Sequence, residues 1–205
     1  MTTAREEILA LVRWATPAAS RPIPRGYRRE TSPTGIVERF CERVADYRAD
    51  VRRIARGSVG DEIESVLSAR NANRVGVPPG LPATWRPPLD VVEDHGLGAA
   101  ELDGLDGVVT GCEVAIAETG TIVLAGGPTA GRRALTLVPD LHVCVVEEHQ
   151  IVGILPQAIS RLEALVREER RPLTFVSGPS ATSDIELSRV EGVHGPRDLV
   201  VLVVT

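Results

Sequence analysis

Three short apolar runs constrain the fold most, because they contain few polar residues. They are residues 141–146 (LHVCVV), 173–176 (LTFV) and 199–204 (LVVLVV). Strands of this kind are typical of a parallel sheet that is covered on both sides. Segments with apolar residues at helical spacing, such as residues 36–45 and 155–166, alternate with them. The sequence therefore predicts an α/β fold in three layers, with a mostly parallel central sheet and helices on both faces.

The N-terminal segment differs in composition from the rest of the 205-residue chain. Residues 6–14 have helical spacing, and residues 16–33 are rich in Pro, Arg and Gly, which is typical of a surface linker. Residues 78–88 hold five prolines, which predicts an irregular loop. We expect an N-terminal helix and linker over residues 1–33 and one α/β domain over residues 34–205.

Composition excludes several function classes. All 23 basic residues are arginine, so no lysine is available as a Schiff base, a Walker A residue or a general base. A net charge of −5 argues against a dedicated nucleic-acid binder. No apolar run approaches the roughly 20 residues that span a bilayer, and residues 1–10 lack a signal-peptide stretch, so we expect a cytoplasmic protein.

The cysteine and histidine pattern predicts no metal site. Cys41, Cys112 and Cys144 form no CxxC pair, so they are interpreted as small buried residues in a reducing compartment. His142 and Cys144 share one strand face and His149 lies nearby, but this spacing matches no common zinc pattern. We expect no metal or cofactor to be bound by this chain alone.

A first polar loop, AETGT, separates two β-rich runs. A carboxylate there, on Glu118, would be partly desolvated, which favours acid–base or nucleophilic chemistry. The alternative is a tight turn in which Gly120 supplies backbone freedom and Glu118 is solvated.

A second loop, SGPSATSDIE over residues 177–186, follows the apolar run 173–176. Its hydroxyl and backbone N–H groups suit an anion. Ser180, Thr182 or Asp184 would alternatively cap a following helix, and the two interpretations are compatible.

A third loop, GVHGP over residues 192–196, carries His194 between glycines. Paired with Asp184 or Glu118, this histidine would form a proton-transfer unit. The alternative is a structural turn in which His194 hydrogen-bonds to the main chain.

Two adjacent arginines follow a glycine-rich stretch. Arg132 and Arg133 are candidates for binding a carboxylate or phosphate bidentately, and solvated surface positions are the alternative.

Taken together, the ordered motifs ETGT, SGPS-x-T-x-DIE and GVHGP, with the closing run LVVLVV, resemble the LUD-domain proteins of the lactate utilization protein C type. The resemblance is strong over residues 107–205 and looser over residues 34–107. It implies a fold like that of ribose-5-phosphate isomerase, glucosamine-6-phosphate deaminase and the CoA-transferases.

The resemblance also implies a biological role. The chain would be the non-cluster subunit of a system that oxidises L-lactate to pyruvate, with iron–sulfur clusters on iron–sulfur and cysteine-rich partner proteins. Its loops would form an anion-binding or partner-docking site. The alternative is a free-standing CoA-transferase-like or sugar-phosphate-isomerase-like enzyme that uses Glu118.

Site residues follow position by position. The catalytic candidates are Glu118, Asp184 and His194. The ligand-binding candidates are Thr119, Gly120, Thr121, Arg132, Arg133, Ser177, Gly178, Ser180, Thr182 and Gly195. Position 181, often arginine in the family, is Ala181 here, so Arg132 or Arg133 would supply the positive charge.

Overall fold

A computed structural model of the chain describes residues 3–15, 24–179 and 195–205. Its α-helices are α1 Ala4–Ala15, α2 Ile36–Asp46, α3 Val59–Ala69, α4 Ala99–Asp103 and α5 Leu155–Arg167. Its strands are β1 Asp50–Ile54, β2 Arg74–Val77, β3 Asp90–Glu93, β4 Gly107–Gly111, β5 Val114–Ile116, β6 Thr121–Ala125, β7 Leu141–Glu147, β8 Ile151–Val152, β9 Leu173–Val176 and β10 Asp198–Val204.

The central sheet has six strands in the order β1-β10-β7-β4-β2-β3, and every pair in it is parallel. The apolar runs 141–146 and 199–204 form its middle strands, β7 and β10. Val143 and Val145 face one core, whereas Cys144 and Val146 face another, so both sides of β7 are covered. The predicted α/β fold with a mostly parallel central sheet is confirmed.

Helices cover the two faces of the central sheet. On one face α3 buries Ile63 and Leu67 against the valines of β2, β7 and β10. On the other face α2 buries Phe40 and Val44 against β7 and β10. At about 25 cal/mol per Å² of apolar surface, each fully buried large side chain contributes roughly 1.5–3 kcal/mol.

A second, smaller sheet lies on the α2 side, and the sequence did not predict it. Its order is β8-β5-β6-β9, with β6 antiparallel to β5 and to β9. One side of this sheet shares the core of α2, and α5 covers the other side through Ala158 and Leu162. This sheet brings the AETGT turn and the end of β9 together.

The N-terminal helix differs from the others because none of its side chains is buried. Residues 24–33, which follow it in the described chain, have no regular structure. The division at residue 33 stays a prediction. In the described part of the chain, no helix has the length and apolar character needed to cross a membrane.

Candidate functional site

The AETGT motif forms the turn between β5 and β6. The Glu118 backbone N–H donates to the Gly153 carbonyl at 3.0 Å, which ties the turn to the residue after β8. The Glu118 side chain is 47% exposed and forms an ion pair with Arg28. Gly120 has φ of 61°, and a Cβ there would lie 2.7 Å from the Arg43 backbone carbon. Only glycine therefore fits the turn against α2.

Three hydroxyls connect this turn to the second loop. The Oγ1 atoms of Thr119 and Thr121 are 2.7 Å apart, and Thr121 Oγ1 lies 2.8 Å from Ser177 Oγ. The antiparallel pairing of β6 with β9 produces this contact, because Ile122 is opposite Val176. The structure thus brings Thr119, Thr121 and Ser177 together, as candidate residues of one site.

The second loop is described up to Pro179 and the third loop from Gly195 onward, and the two loops meet at these residues. Gly178 has φ of 84°, and a Cβ would lie 2.9 Å from Tyr47 Cβ at the end of α2. Gly195 has φ of 147°, and a Cβ would lie 3.2 Å from the Pro179 carbonyl oxygen. The candidates Ser180, Thr182, Asp184 and His194 lie outside the described residues.

A cavity of about 70 Å³ is present where these loops approach the central sheet. Its described walls are Arg133, Thr136, His142, Phe175, Val176, Ser177, Gly178, Pro179, Gly195 and Pro196. His142 is the second residue of β7, and Pro196 lies two residues before the start of β10. The cavity therefore lies at the amino ends of these two strands, whereas ligands of open parallel sheets usually bind at the carboxyl ends.

The two candidate arginines have different surroundings. The Arg132 guanidinium donates from Nε and Nη2 to the Asp94 carboxylate at 2.7 and 2.9 Å, and Asp94 is buried. Arg133 instead donates from Nη1 to the carbonyl and hydroxyl oxygens of Thr136, at 3.2 and 3.1 Å. Although Arg133 is an exposed residue, burial at its guanidinium lowers the pKa of that group. Arg133 therefore lines the cavity, while Arg132 holds Asp94.

His142 and Thr136 are the two buried polar residues among the described walls of the cavity. The exposed fraction of His142 is 2%, and its Nε2 lies 2.8 Å from the hydroxyl of Thr110 on β4. Burial, together with the nearby charge of Arg133, lowers the pKa of His142 to about 3. The imidazole is therefore neutral at ordinary pH, and Arg133 is the one charged group among the described walls.

Comparison with models of protein families gives a match that includes the three loops. A model of the LUD domain matches residues 98–204, just over half of the chain. The chain belongs to the LUD domain family. The resemblance drawn from the motifs is thereby confirmed, and the matched range contains all three loops of this LUD protein.

Known relatives extend the match beyond that range. The LUD protein is 51% identical over 171 residues to "Lactate utilization protein C" of Deinococcus radiodurans, covering 82% of this chain and 79% of that protein. It is 29% identical over 181 residues to the protein of the same name from Halalkalibacterium halodurans, covering 82% and 78%. A crystal structure of a DUF162 family protein from Deinococcus radiodurans has a TM-score of 0.74 and 44% identity, covering 85% of this chain and 99% of that chain.

His142, Thr136 and Thr110 of the LUD domain were not among the ligand-binding candidates. The sequence signal for His142 is its place as a polar residue in the apolar run LHVCVV, but the sequence pattern pointed only to a metal ligand there. In the described part of the chain, no group of three or more His, Cys, Asp or Glu side chains has the arrangement of a metal site.

A larger groove of about 550 Å³ lies elsewhere, between residues 29–36 and the start of α5. Arg29 and Arg161 line it, and Arg161 donates to the His149 carbonyl at 2.7 Å. Among its described walls are no residues of the three motif loops of the LUD domain. We therefore assign the candidate site to the smaller cavity.

Proposed function

We propose that this chain is the non-cluster subunit of an L-lactate-oxidising utilization system. The observation that carries the proposal is the 51% identity, over 82% of the chain, to a relative named lactate utilization protein C. In this role the chain supplies a binding or docking site for the conversion of lactate to pyruvate.

The cysteines support the placement of the iron–sulfur clusters on other subunits. Cys112 and Cys144 are buried and Cys41 is partly buried, and all three are free thiols. A hydrogen bond with Cys144, together with burial, raises the pKa of the Cys112 thiol well above its usual value. Since metals are bound by the thiolate, such a thiol suits packing. We place the iron–sulfur clusters on iron–sulfur and cysteine-rich partner proteins.

The cavity supports an anion-binding role for the loops. Arg133 provides a positive charge, and Ser177 provides a hydroxyl in the same cavity. Lactate and pyruvate are anions at neutral pH, so such a site suits the substrate or product of the proposed system. Partner docking at the same loops is compatible with this role.

The free-standing enzyme that uses Glu118 has less support. A nucleophilic or basic carboxylate works best where it is desolvated and unpaired. Glu118 is instead exposed and forms an ion pair with Arg28. No observation on this carboxylate favours acyl or isomerase chemistry.

Gene deletion tests the proposed function. We expect a deletion strain to lose growth on L-lactate as sole carbon source, to grow normally on glucose, and to recover when the gene is restored. A tagged copy purified from lactate-grown cells is expected to bring iron–sulfur proteins with it. Normal growth on lactate, in a host without a second copy of the gene, would contradict the proposal.

A further inference from the structure

The cavity contains polar groups that the described protein leaves without partners. The Nε and Nη2 groups of Arg133 have no hydrogen-bond acceptor among the described residues, since only Nη1 is bonded, to Thr136. The Nδ1 atom of His142 is also without a partner in that part of the chain, because its Nε2 alone is bonded, to Thr110. Since Arg133 is an exposed residue, its unbonded N–H groups are open to water, which a ligand in the cavity would replace.

The 2.8 Å contact between Thr110 and His142 allows either direction of donation, and the surroundings of Thr110 favour one of them. Thr110 is fully buried, and His142 Nε2 is the one partner of its hydroxyl among the described residues. A buried hydroxyl donates where an acceptor is available, so the Thr110 O–H donates to Nε2. The proton of the neutral ring is then on Nδ1, and His142 contributes a neutral N–H donor.

The charge of the described walls suits an anion. Arg133 is the one charged side chain among the described wall residues, and no carboxylate is among them. Phosphate monoesters carry close to two negative charges at neutral pH. A single guanidinium, a neutral imidazole N–H and a hydroxyl match a single carboxylate, which the guanidinium fork binds through two parallel hydrogen bonds.

The volume selects a small ligand. The cavity holds about 70 Å³, whereas sites for drug-sized ligands and cofactors are about 300–1,000 Å³. A water molecule takes about 30 Å³ in the liquid. The space between the described walls therefore suits an acid of a few heavy atoms.

We propose that this cavity is a binding site for a short-chain monocarboxylate, held by the Arg133 guanidinium and the Nδ1–H of His142. The carboxylate class comes from the geometry, and the choice of lactate or pyruvate within that class rests on the proposed function. Ser177 provides a hydroxyl for the 2-hydroxy or 2-oxo group of such an acid, whereas the Thr136 hydroxyl donates to the Arg133 carbonyl oxygen.

Titration calorimetry on the purified full chain tests the site. The probes are L-lactate, pyruvate and, for comparison, inorganic phosphate. We expect one of the two acids to bind more tightly than phosphate. Arg133→Gln is expected to weaken that binding by about tenfold or more, as the loss of a charged hydrogen bond implies. Arg167→Gln on α5 removes an equal charge at a side chain that is 77% exposed and outside the cavity, and should bind as the wild type does.

A second measurement does not depend on any variant. In nitrogen NMR spectra of the ¹⁵N-histidine-labelled chain, we expect a neutral ring for His142 with the proton on Nδ1. Its resonances should shift when the bound acid is added. A proton on Nε2, or resonances that do not respond to a bound acid, would overturn the role of His142.

Three other outcomes would overturn the site. They are binding of neither acid, tighter binding of phosphate, and an Arg133→Gln variant that unfolds like the wild type yet keeps full affinity. The growth test separates this inference from the proposed function. If the chain binds the acid but its deletion causes no growth defect, the proposed function is refuted and the binding site stands. If deletion causes the growth defect but the chain binds neither acid, the binding site is refuted and the proposed function stands.

Discussion

Mild acidification should weaken the fold through His142. The buried imidazole has a pKa of about 3 in the folded chain, compared with 6.5 for an ordinary histidine. As the pH falls below 6.5 the unfolded chain binds a proton that the folded chain does not bind, so stability is lost with falling pH until about pH 3. The full contribution is present above pH 6.5.

The size of this loss follows from the same two pKa values. Each pH unit between them is worth about 1.4 kcal/mol. Going from about pH 7 to about pH 5 crosses roughly 1.5 of those units, so the free energy of unfolding should fall by about 2 kcal/mol. Carboxylates with lowered pKa values, such as Asp94 and Asp106, stay ionised over this window and lose their contribution only at lower pH.

Urea unfolding followed by circular dichroism at several pH values measures this dependence. The wild type should lose about 2 kcal/mol across the window, while His142→Gln, which does not titrate, should lose much less, whatever its starting stability. His95→Gln removes an exposed histidine and should keep the wild-type dependence. If the wild type and His142→Gln showed the same pH slope, the buried neutral histidine would be refuted.

Three substitutions test other parts of the structure, each by urea or thermal unfolding. Asp94→Asn removes the charge that Arg132 and the N–H groups of Gly96 and Leu97 bind. It should cost about 1–3 kcal/mol, because the Arg132 side chain left behind is 42% exposed. Gly120→Ala places a Cβ 2.7 Å from backbone at φ of 61° and should cost at least about 1–3 kcal/mol. Leu67→Ala opens a cavity at a fully buried position under α3 and should cost about 2–5 kcal/mol.

Each of these substitutions has a matched control. Asp140→Asn changes an exposed aspartate, Gly57→Ala adds a Cβ with no atom within 4 Å, and Leu11→Ala shortens a side chain that is 66% exposed. Each control should stay within about 0.5 kcal/mol of the wild type. If a control substitution lost as much stability as the test substitution it is paired with, the contacts named for that test substitution would not explain its effect.

The middle strands of the central sheet could be predicted from the sequence, because a strand that is buried on both faces appears as a continuous apolar run. The runs that became β7 and β10 contain almost no polar residues, and no turn residue interrupts them. The smaller sheet is different. Its strand β9 is the apolar run 173–176, for which the expected place in a covered parallel sheet was wrong, because β9 is antiparallel to β6 and Phe175 on it is 46% exposed. Its strands β5 and β8 are only three and two residues long, too short for a period of two to be recognised.

The candidate site was predictable only in part, because pairing across long sequence distances decides it. Thr121 and Ser177 are 56 positions apart, and only the β6–β9 pairing brings their hydroxyls together. Likewise the sequence does not distinguish Arg132 from Arg133. The fold distinguishes them, because it brings Asp94, 38 positions away, into contact with Arg132. His142 was overlooked as a ligand-binding residue because a polar side chain in a buried strand gains its role from the neighbouring strand.

The strand order has a consequence for folding during synthesis. β10 lies between β1 and β7, so residues 50–54 have no neighbour in the sheet until residues 198–204 have been made. Loops of that length are slow to close, and an unpaired strand edge invites association with other chains. On the ribosome, β1 must therefore wait until β10 has been synthesised. A chain that stops before residue 198 would lack the strand that joins β1 to β7 and would leave the facing edges of both strands unpaired.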